Sequence, residues 1–278
     1  MRNRLSLHAI YGLKYNPFLA EIPTDSLIKD ASTEKFCFRV EQVVMDGGFA
    51  MITGEPGTGK SVALRHLNAH LTEIPELTVK VITRPQSGIS DFYREISELF
   101  DVPIKKNNRF GSFAHLRMQW KSHIKASLFR PVLLIDEAQE ADDAVLNELR
   151  LLSSVDLDSR NILAIVLAGD NRLPEKLRQT NLLPLESRIR IRYHLDKRPQ
   201  PELIHILSEA IKHAGSPELM TPRLIQSLAE HSMGNLRAMM LMANDLLATA
   251  AENEQRQLDE NLFFDVYRAF AKKKRPGK

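Results

Sequence analysis

Two kinds of apolar pattern alternate along the first two thirds of the chain, and past Pro199 only one of them continues. Apolar runs at 49–52, 131–135 and 161–168, and the mixed segments 78–83 and 189–195, predict strands, the run at 131–135 suited to burial on both faces as in a parallel sheet. Between them, apolar residues recur at helical spacing over 32–46, from 62 onward, and over 91–100, 113–127 and 140–152. Strands alternating with helices predict a parallel, doubly wound α/β sheet whose ligand site lies at the carboxyl ends of its strands. After residue 199 the segments 201–214, 221–232, 235–251 and 259–271 all read as helices, with Thr221 and Asp259 as expected N-caps and Pro222 in a first turn. The expected organisation is therefore an α/β domain over 1–197, a small all-helical domain over 198–271, and a basic tail over 272–278.

The first strand runs into Gly54-Glu55-Pro56-Gly57-Thr58-Gly59-Lys60-Ser61, a complete G-x-x-x-x-G-K-[ST] phosphate loop, and Val62 opens the helix behind it. The glycines allow backbone N–H groups to turn inward at a helix N-terminus, a donor nest for phosphates. Lys60 is expected to reach the β- and γ-phosphates, and Ser61 to ligate Mg²⁺. A second motif follows, Pro131-Val132-Leu133-Leu134-Ile135-Asp136-Glu137, an apolar strand ending in two carboxylates. Asp136 is placed to hold Mg²⁺ through water, because that ion keeps its hydration shell, and Glu137 to polarise an attacking water. Acidic residues also favour the start of a helix, which accounts for part of this second pattern. That preference does not explain the two motifs in one chain, in this order.

Composition narrows the setting. With 278 residues and 43% hydrophobic content the chain is long enough for a sizeable core. The single cysteine, Cys37, cannot form an intrachain disulfide, which points to a core residue in a reducing, cytoplasmic protein. No apolar run approaches the roughly 20 residues of a membrane span, and no signal-peptide core follows the N-terminus, so the expectation is a protein neither secreted nor membrane-integral. The formal charge is +3, but Lys272, Lys273, Lys274, Arg275 and Lys278 supply five positive charges, and removing those five leaves −2. Any nucleic-acid affinity must then come from local patches or the tail, which reads equally as a solvated end. The histidines lack a ligand spacing with cysteine, and no structural zinc is expected.

In motif order the chain resembles the AAA+ ATPases: the phosphate loop, then Leu133 to Glu137, then a strand with a polar end, then a helical lid carrying Gly234-Asn235-Leu236-Arg237. Within that family it is similar to the secretion-pathway ATPases of the ExeA type and the transposition regulators of the TnsC, TniB and IstB type. This second resemblance is carried by the opening Tyr11-Gly12-Leu13-Lys14-Tyr15-Asn16-Pro17-Phe18, by Val166 to Leu173, and by Leu185-Glu186-Ser187-Arg188-Ile189-Arg190. The resemblance implies ATP and Mg²⁺ as cofactors, with slow hydrolysis stimulated by DNA or a partner. It implies Asp170, or the adjacent Asn171, as the γ-phosphate sensor. Arg188, or Arg190, becomes the finger entering a neighbour's site, and Arg237 the lid arginine; only geometry decides among Arg188, Arg190 and Arg192. Tyr15, Pro17 and Phe18 read either as walls of an adenine pocket or as an N-terminal apolar anchor.

A finger supplied in trans implies a head-to-tail homo-oligomer, a ring or a helical filament. The implied function is an ATP-dependent DNA-binding ATPase that coats duplex DNA and recruits or activates a transposase, with no membrane partner. Lys105, Lys106, Arg109 and Arg84 are then the backbone-contacting cations, or equally a solvated loop. The alternative is an ExeA-like ATPase acting on a protein assembly.

Overall fold

The computed structural model describes residues 10–28, 31–83, 85–103, 109–126, 129–156 and 160–273. The chain separates into two compact units, one holding 29–56 and 60–195, the other 1–28, 57–59 and 196–278. In the first unit the elements follow in the order α1 (Ala31–Asp46), β1 (Gly48–Gly54), α2 (Lys60–Thr72), β2 (Leu77–Ile82), α3 (Ile89–Leu99), α4 (Arg109–Lys125) and β3 (Arg130–Ile135). A 3-10 turn at Ala138–Glu140 leads into α5 (Asp143–Ser153), β4 (Ser154–Val155), β5 (Arg160–Asn161), β6 (Ala164–Gly169), α6 (Arg172–Leu177), α7 (Leu183–Glu186) and β7 (Ile189–Leu195). Among the described residues five strands form one parallel sheet in the order β2-β3-β6-β1-β7.

The continuous apolar runs follow from burial on both faces of this sheet. Successive side chains of a strand point to opposite sides. Phe49 and Met51 of β1, Leu133 and Ile135 of β3, and Ile165 and Leu167 of β6 enter one core with α3, α4 and α5. Their neighbours Ala50, Ile52, Val132, Leu134, Val166 and Ala168 enter the other, with α1, α2 and the buried Cys37. All four strand ends that matter for the motifs, Gly54, Ile135, Gly169 and Leu195, fall along the same edge, because the strands run in parallel register.

Three element boundaries differ from the sequence reading by three residues or more, one being the helix expected from 140, which begins at Asp143 after the 3-10 turn. The run expected as a strand over 161–168 enters the sheet only at Ala164. Ahead of it Arg160–Asn161 pairs antiparallel with Ser154–Val155, and the Ile162 N–H donates to the Ser153 carbonyl at 2.7 Å. Ile162 and Leu163 are buried without belonging to a strand, which is why the apolar run overshoots. Helix α4 begins at Arg109, four residues ahead of the expected 113. Its first residue is held by Glu148 of α5, which accepts from the Arg109 guanidinium and from the Tyr93 hydroxyl of α3.

Glu148 is 3% exposed. Burial, then the hydrogen bond to this carboxylate, pushes the Tyr93 phenol well above its ordinary value. Glu148→Ala is expected to destabilise the protein by about 1–3 kcal/mol, the cost of orphaning a buried hydroxyl. The Arg109 side chain is more than half exposed, so water can take up its charge. A urea-unfolding midpoint measured with unchanged slope checks this.

The second unit contains α8 (Gln200–His213), α9 (Pro222–His231), α10 (Leu236–Glu252) and α11 (Glu260–Lys273). The expected caps are present: the Thr221 hydroxyl accepts from Leu224 N–H at 3.2 Å, and Asp259 accepts from Leu262 N–H at 3.0 Å. Asn235 is a third cap, accepting from Ala238 N–H at 3.0 Å. The N-terminal segment, expected with the sheet, groups with these helices instead. Tyr11, Leu13 and Phe18 are buried in the helical core, the Tyr11 hydroxyl donates to the Gln255 carbonyl at 2.9 Å, and the Lys14 N–H donates to the Ala214 carbonyl at 2.8 Å.

Candidate functional site

At the end of β1 the chain leaves the sheet at Gly54 and re-enters a helix at Lys60, so the loop sits on the N-terminus of α2, where unpaired N–H groups collect. The Lys60 side chain is 7% exposed, and its ammonium donates to the carbonyls of Gly54 and Glu55, each at 2.9 Å. A buried ammonium spanning the mouth of the loop on two neutral carbonyls is poised to exchange them for phosphate oxygens. Gly57 has φ +86°, and a Cβ there would lie 2.2 Å from Asn235 Oδ1, so both its backbone angle and its surroundings demand glycine. In the same unit the Arg237 N–H donates to the Gly57 carbonyl at 3.1 Å, while the Arg237 side chain is exposed.

Strand β3 delivers Asp136 and Glu137 to the same edge of the sheet. The Asp136 carboxylate accepts from the Glu137 N–H at 3.0 Å and from the Ser61 hydroxyl. Burial raises the Asp136 carboxyl above its ordinary value, partly offset by these hydrogen bonds and by the Lys60 charge. A partly desolvated carboxylate beside a hydroxyl is an oxygen donor pair that suits Mg²⁺, a hard cation that binds one or two protein oxygens and keeps its waters. Ser61 and Asp136 therefore fit the ion that the phosphate loop implies. Glu137 is exposed and has φ +51°, a left-handed conformation rare for a side chain of this kind and frequent at functional sites.

The end of β6 supplies Asp170. Burial works against its charge, but the Arg172 guanidinium and backbone N–H, with Lys60 farther off, outweigh that and hold its carboxyl below the usual range. Arg172 spans Asp170 at 2.8 Å and Glu140 at 2.7 Å. The neighbouring Asn171 is exposed, with no side-chain capping bond to α6. Thus Asp136, Glu137 and Asp170 come together with Ser61 and Lys60, through contacts or through charge.

The arginines are placed elsewhere. Arg188 precedes β7, at the opposite end of that strand from the loop, and its guanidinium donates to the Pro184 carbonyl. Arg190 is exposed, and Arg192 pairs with Glu186 at 2.7 Å. Since Ile189 aligns with Phe49 and Leu195 with Gly54, Arg188 lies roughly 20 Å of strand away from the loop of its own chain. Of the residues expected at an adenine wall, Phe18 and Pro17 are buried and Tyr15 packs on the helical core, contacts for which an N-terminal anchor accounts. Among the residues read as DNA contacts, Arg84, Lys105 and Lys106 lie outside the described residues, and the Arg109 guanidinium is taken up by Glu148.

Gln139, Arg172 and Glu148 were not singled out in the sequence. Each also pairs with a distant element, Gln139 with Asp170, Arg172 with Glu140 and Glu148 with Tyr93 and Arg109, and no local pattern marks those partners. Among the described residues no cluster of metal-ligating side chains of the structural-zinc kind occurs, and no helix is long and apolar enough to cross a membrane.

A family model described as "AAA domain" matches residues 44–177. General secretion pathway protein A of Aeromonas hydrophila is 32% identical over 212 residues, a match covering 73% of this chain and 37% of that protein. The chain thus spans little more than a third of this curated relative. Among solved structures, the Aeropyrum pernix ORC2 protein in its ADPNP-ADP complexes superposes with a TM-score of 0.72 at 16% identity, over 90% of this chain and 70% of that one. The Aeropyrum pernix ORC1 protein in complex with DNA gives a TM-score of 0.67 at 16% identity, over 94% and 69%. At these identities the two structures establish a shared fold.

Proposed function

We propose, from the match of residues 44–177 to the AAA domain family, that the chain is an ATPase working as a head-to-tail assembly in which Arg188 of each subunit completes the ATP site of the next. The observation that carries this is the position of Arg188 at the far end of β7 from the loop of its own chain. A side chain there is remote from the phosphate loop of its own chain, so a guanidinium role at ATP is one it would play at a neighbour's loop. Within one subunit, Lys60 and the loop N–H groups hold the phosphates, Ser61 and Asp136 hold Mg²⁺, and Glu137 takes the proton of the attacking water. The ion neutralises charge on the phosphate oxygens when bound. Asp170 or Asn171 senses the γ-phosphate from the end of β6, and Arg237 contributes from the lid.

The assembly forms on duplex DNA and regulates DNA transposition by recruiting or activating a transposase. Supporting this target are the basic residues Arg84, Lys105 and Lys106, the basic tail, and a fold shared with a protein solved on DNA. A second reading, an ATPase acting on a protein assembly, is favoured by the 32% identity to a secretion-pathway protein.

One experiment separates the two: duplex-DNA binding with a non-hydrolysable ATP analogue, with ADP and without nucleotide, at several salt concentrations, imaged for oligomers. ATP-dependent coating whose affinity falls about 10³-fold or more between 50 and 200 mM salt is expected if several phosphates are contacted. Nucleotide-driven assembly with no DNA affinity would transfer the proposal to a protein target.

A further inference from the structure

The side chain that ties the two strand ends together is Gln139. It lies in the 3-10 turn after β3 and is 7% exposed, although its neighbour Glu137 is open to solvent. Its Nε2 donates to Glu137 Oε2 at 2.5 Å, and its Oε1 accepts from the Asp170 N–H at 3.2 Å. The chemistry fixes the orientation of the amide. An ionised carboxylate only accepts and a backbone N–H only donates, so the flipped amide would face acceptor with acceptor and donor with donor.

The end of β6 is shaped around this amide. A Cβ at Gly169 would come within 2.5 Å of Gln139 Oε1 and 2.9 Å of Leu173 Cδ2. Gly169 is not in the left-handed region, so close approach rather than backbone angle is what calls for glycine here. The turn itself is pinned from the other side, where the Lys176 ammonium donates to the carbonyls of Gln139 and Ala141. A buried amide with one partner on an exposed carboxylate and the other on the next strand restricts a side chain that would otherwise sample several rotamers.

We infer that Gln139 is the positioning residue of Glu137, holding its carboxylate in the orientation used for water activation and linking it to the strand end that carries Asp170. This rests on the assignment of Glu137 proposed above. A shift of the Asp170 backbone is transmitted to the carboxylate through one amide, so the β6 end and the water-activating group move together.

The test uses the full chain with Gln139→Ala and with Gln139→Met, the latter keeping most of the buried volume without the amide. Turnover is expected to fall roughly 10- to 100-fold, the usual loss when the outer partner of a functional group is removed. ATP affinity stays near wild type, the melting temperature falls by no more than the several degrees that one lost buried hydrogen bond accounts for, and a nucleotide-free crystal structure of Gln139→Met shows the Glu137 carboxylate displaced. Adding Gln139→Met to Glu137→Gln slows the protein no further, since two residues acting as one unit are not additive. Wild-type turnover in a folded Gln139 variant overturns the inference. So does a loss that tracks melting temperature or ATP affinity, or an unmoved carboxylate. Wild-type turnover in Glu137→Gln itself removes the underlying assignment instead, which keeps the two failures distinct.

Discussion

Glu137→Gln is expected to bind ATP within a few fold of wild type and to lose turnover by about 10²- to 10⁴-fold, the range contributed by a positioned general base. The substitution is nearly isosteric. The new amide oxygen can still accept from Gln139, and the left-handed backbone at this position already accommodates an unbranched side chain of the same length. Asp136, Ser61 and Lys60 are untouched, so the groups proposed to hold phosphate and cation remain. What is lost is basicity alone. If ATP sits at the proposed subunit interface it favours the assembled state by mass action, and a variant that binds but does not hydrolyse should accumulate as the oligomer. Equilibrium binding of a fluorescent ATP analogue, phosphate release and light scattering on the same sample read all three quantities. Hydrolysis at the wild-type rate would place water activation on another residue.

What could be read from the sequence was whatever leaves a local pattern. The central strands β1, β3 and β6 were legible because burial on both faces makes nearly every residue apolar, and β7, at the sheet edge with Arg190 and Arg192 exposed at alternate positions, was still found at its actual bounds, Ile189–Leu195. The caps at Thr221 and Asp259 were legible because a short polar side chain followed by an apolar helix is a local event. The phosphate loop and the carboxylates of β3 are contiguous motifs, and their meeting at one sheet edge follows from the parallel order. Where the signal depended on distant partners, it was absent. The apolar run through Ile162 and Leu163 could not reveal that these residues lie outside the parallel sheet, just after the short antiparallel pair of β4 and β5. Nothing near Arg109 announces Glu148, nor does anything near Gln139 announce Asp170, 31 positions away. The N-terminal segment posed the same difficulty: Tyr11, Leu13 and Phe18 form an apolar set whose destination among the helices is a tertiary fact.

Arg188→Ala is expected to abolish turnover on its own, by about 10³-fold or more if its guanidinium stabilises the transferring phosphoryl group of a neighbour. Lys60→Ala is expected to be equally silent for a different reason, since without the ammonium that now spans Gly54 and Glu55 the loop no longer holds phosphate. The two defects reside in different halves of the proposed composite site. An Arg188→Ala subunit has an intact loop and lacks only what it gives to its neighbour; a Lys60→Ala subunit keeps its arginine. Mixing the two inactive proteins should therefore restore activity at interfaces where a Lys60→Ala subunit presents Arg188 to an Arg188→Ala loop, about a quarter of contacts in a random equimolar assembly of heterologous interfaces. A cis role for Arg188 predicts no recovery at any ratio, as does a purely structural one, because no subunit in the mixture then contains a complete site. The same experiment with Arg190→Ala and with Arg192→Ala identifies which guanidinium crosses the interface. The pairing of Arg192 with Glu186 and the exposure of Arg190 are consistent with either residue surviving substitution, whereas the position of Arg188 just ahead of β7 makes it the one whose loss should be complemented.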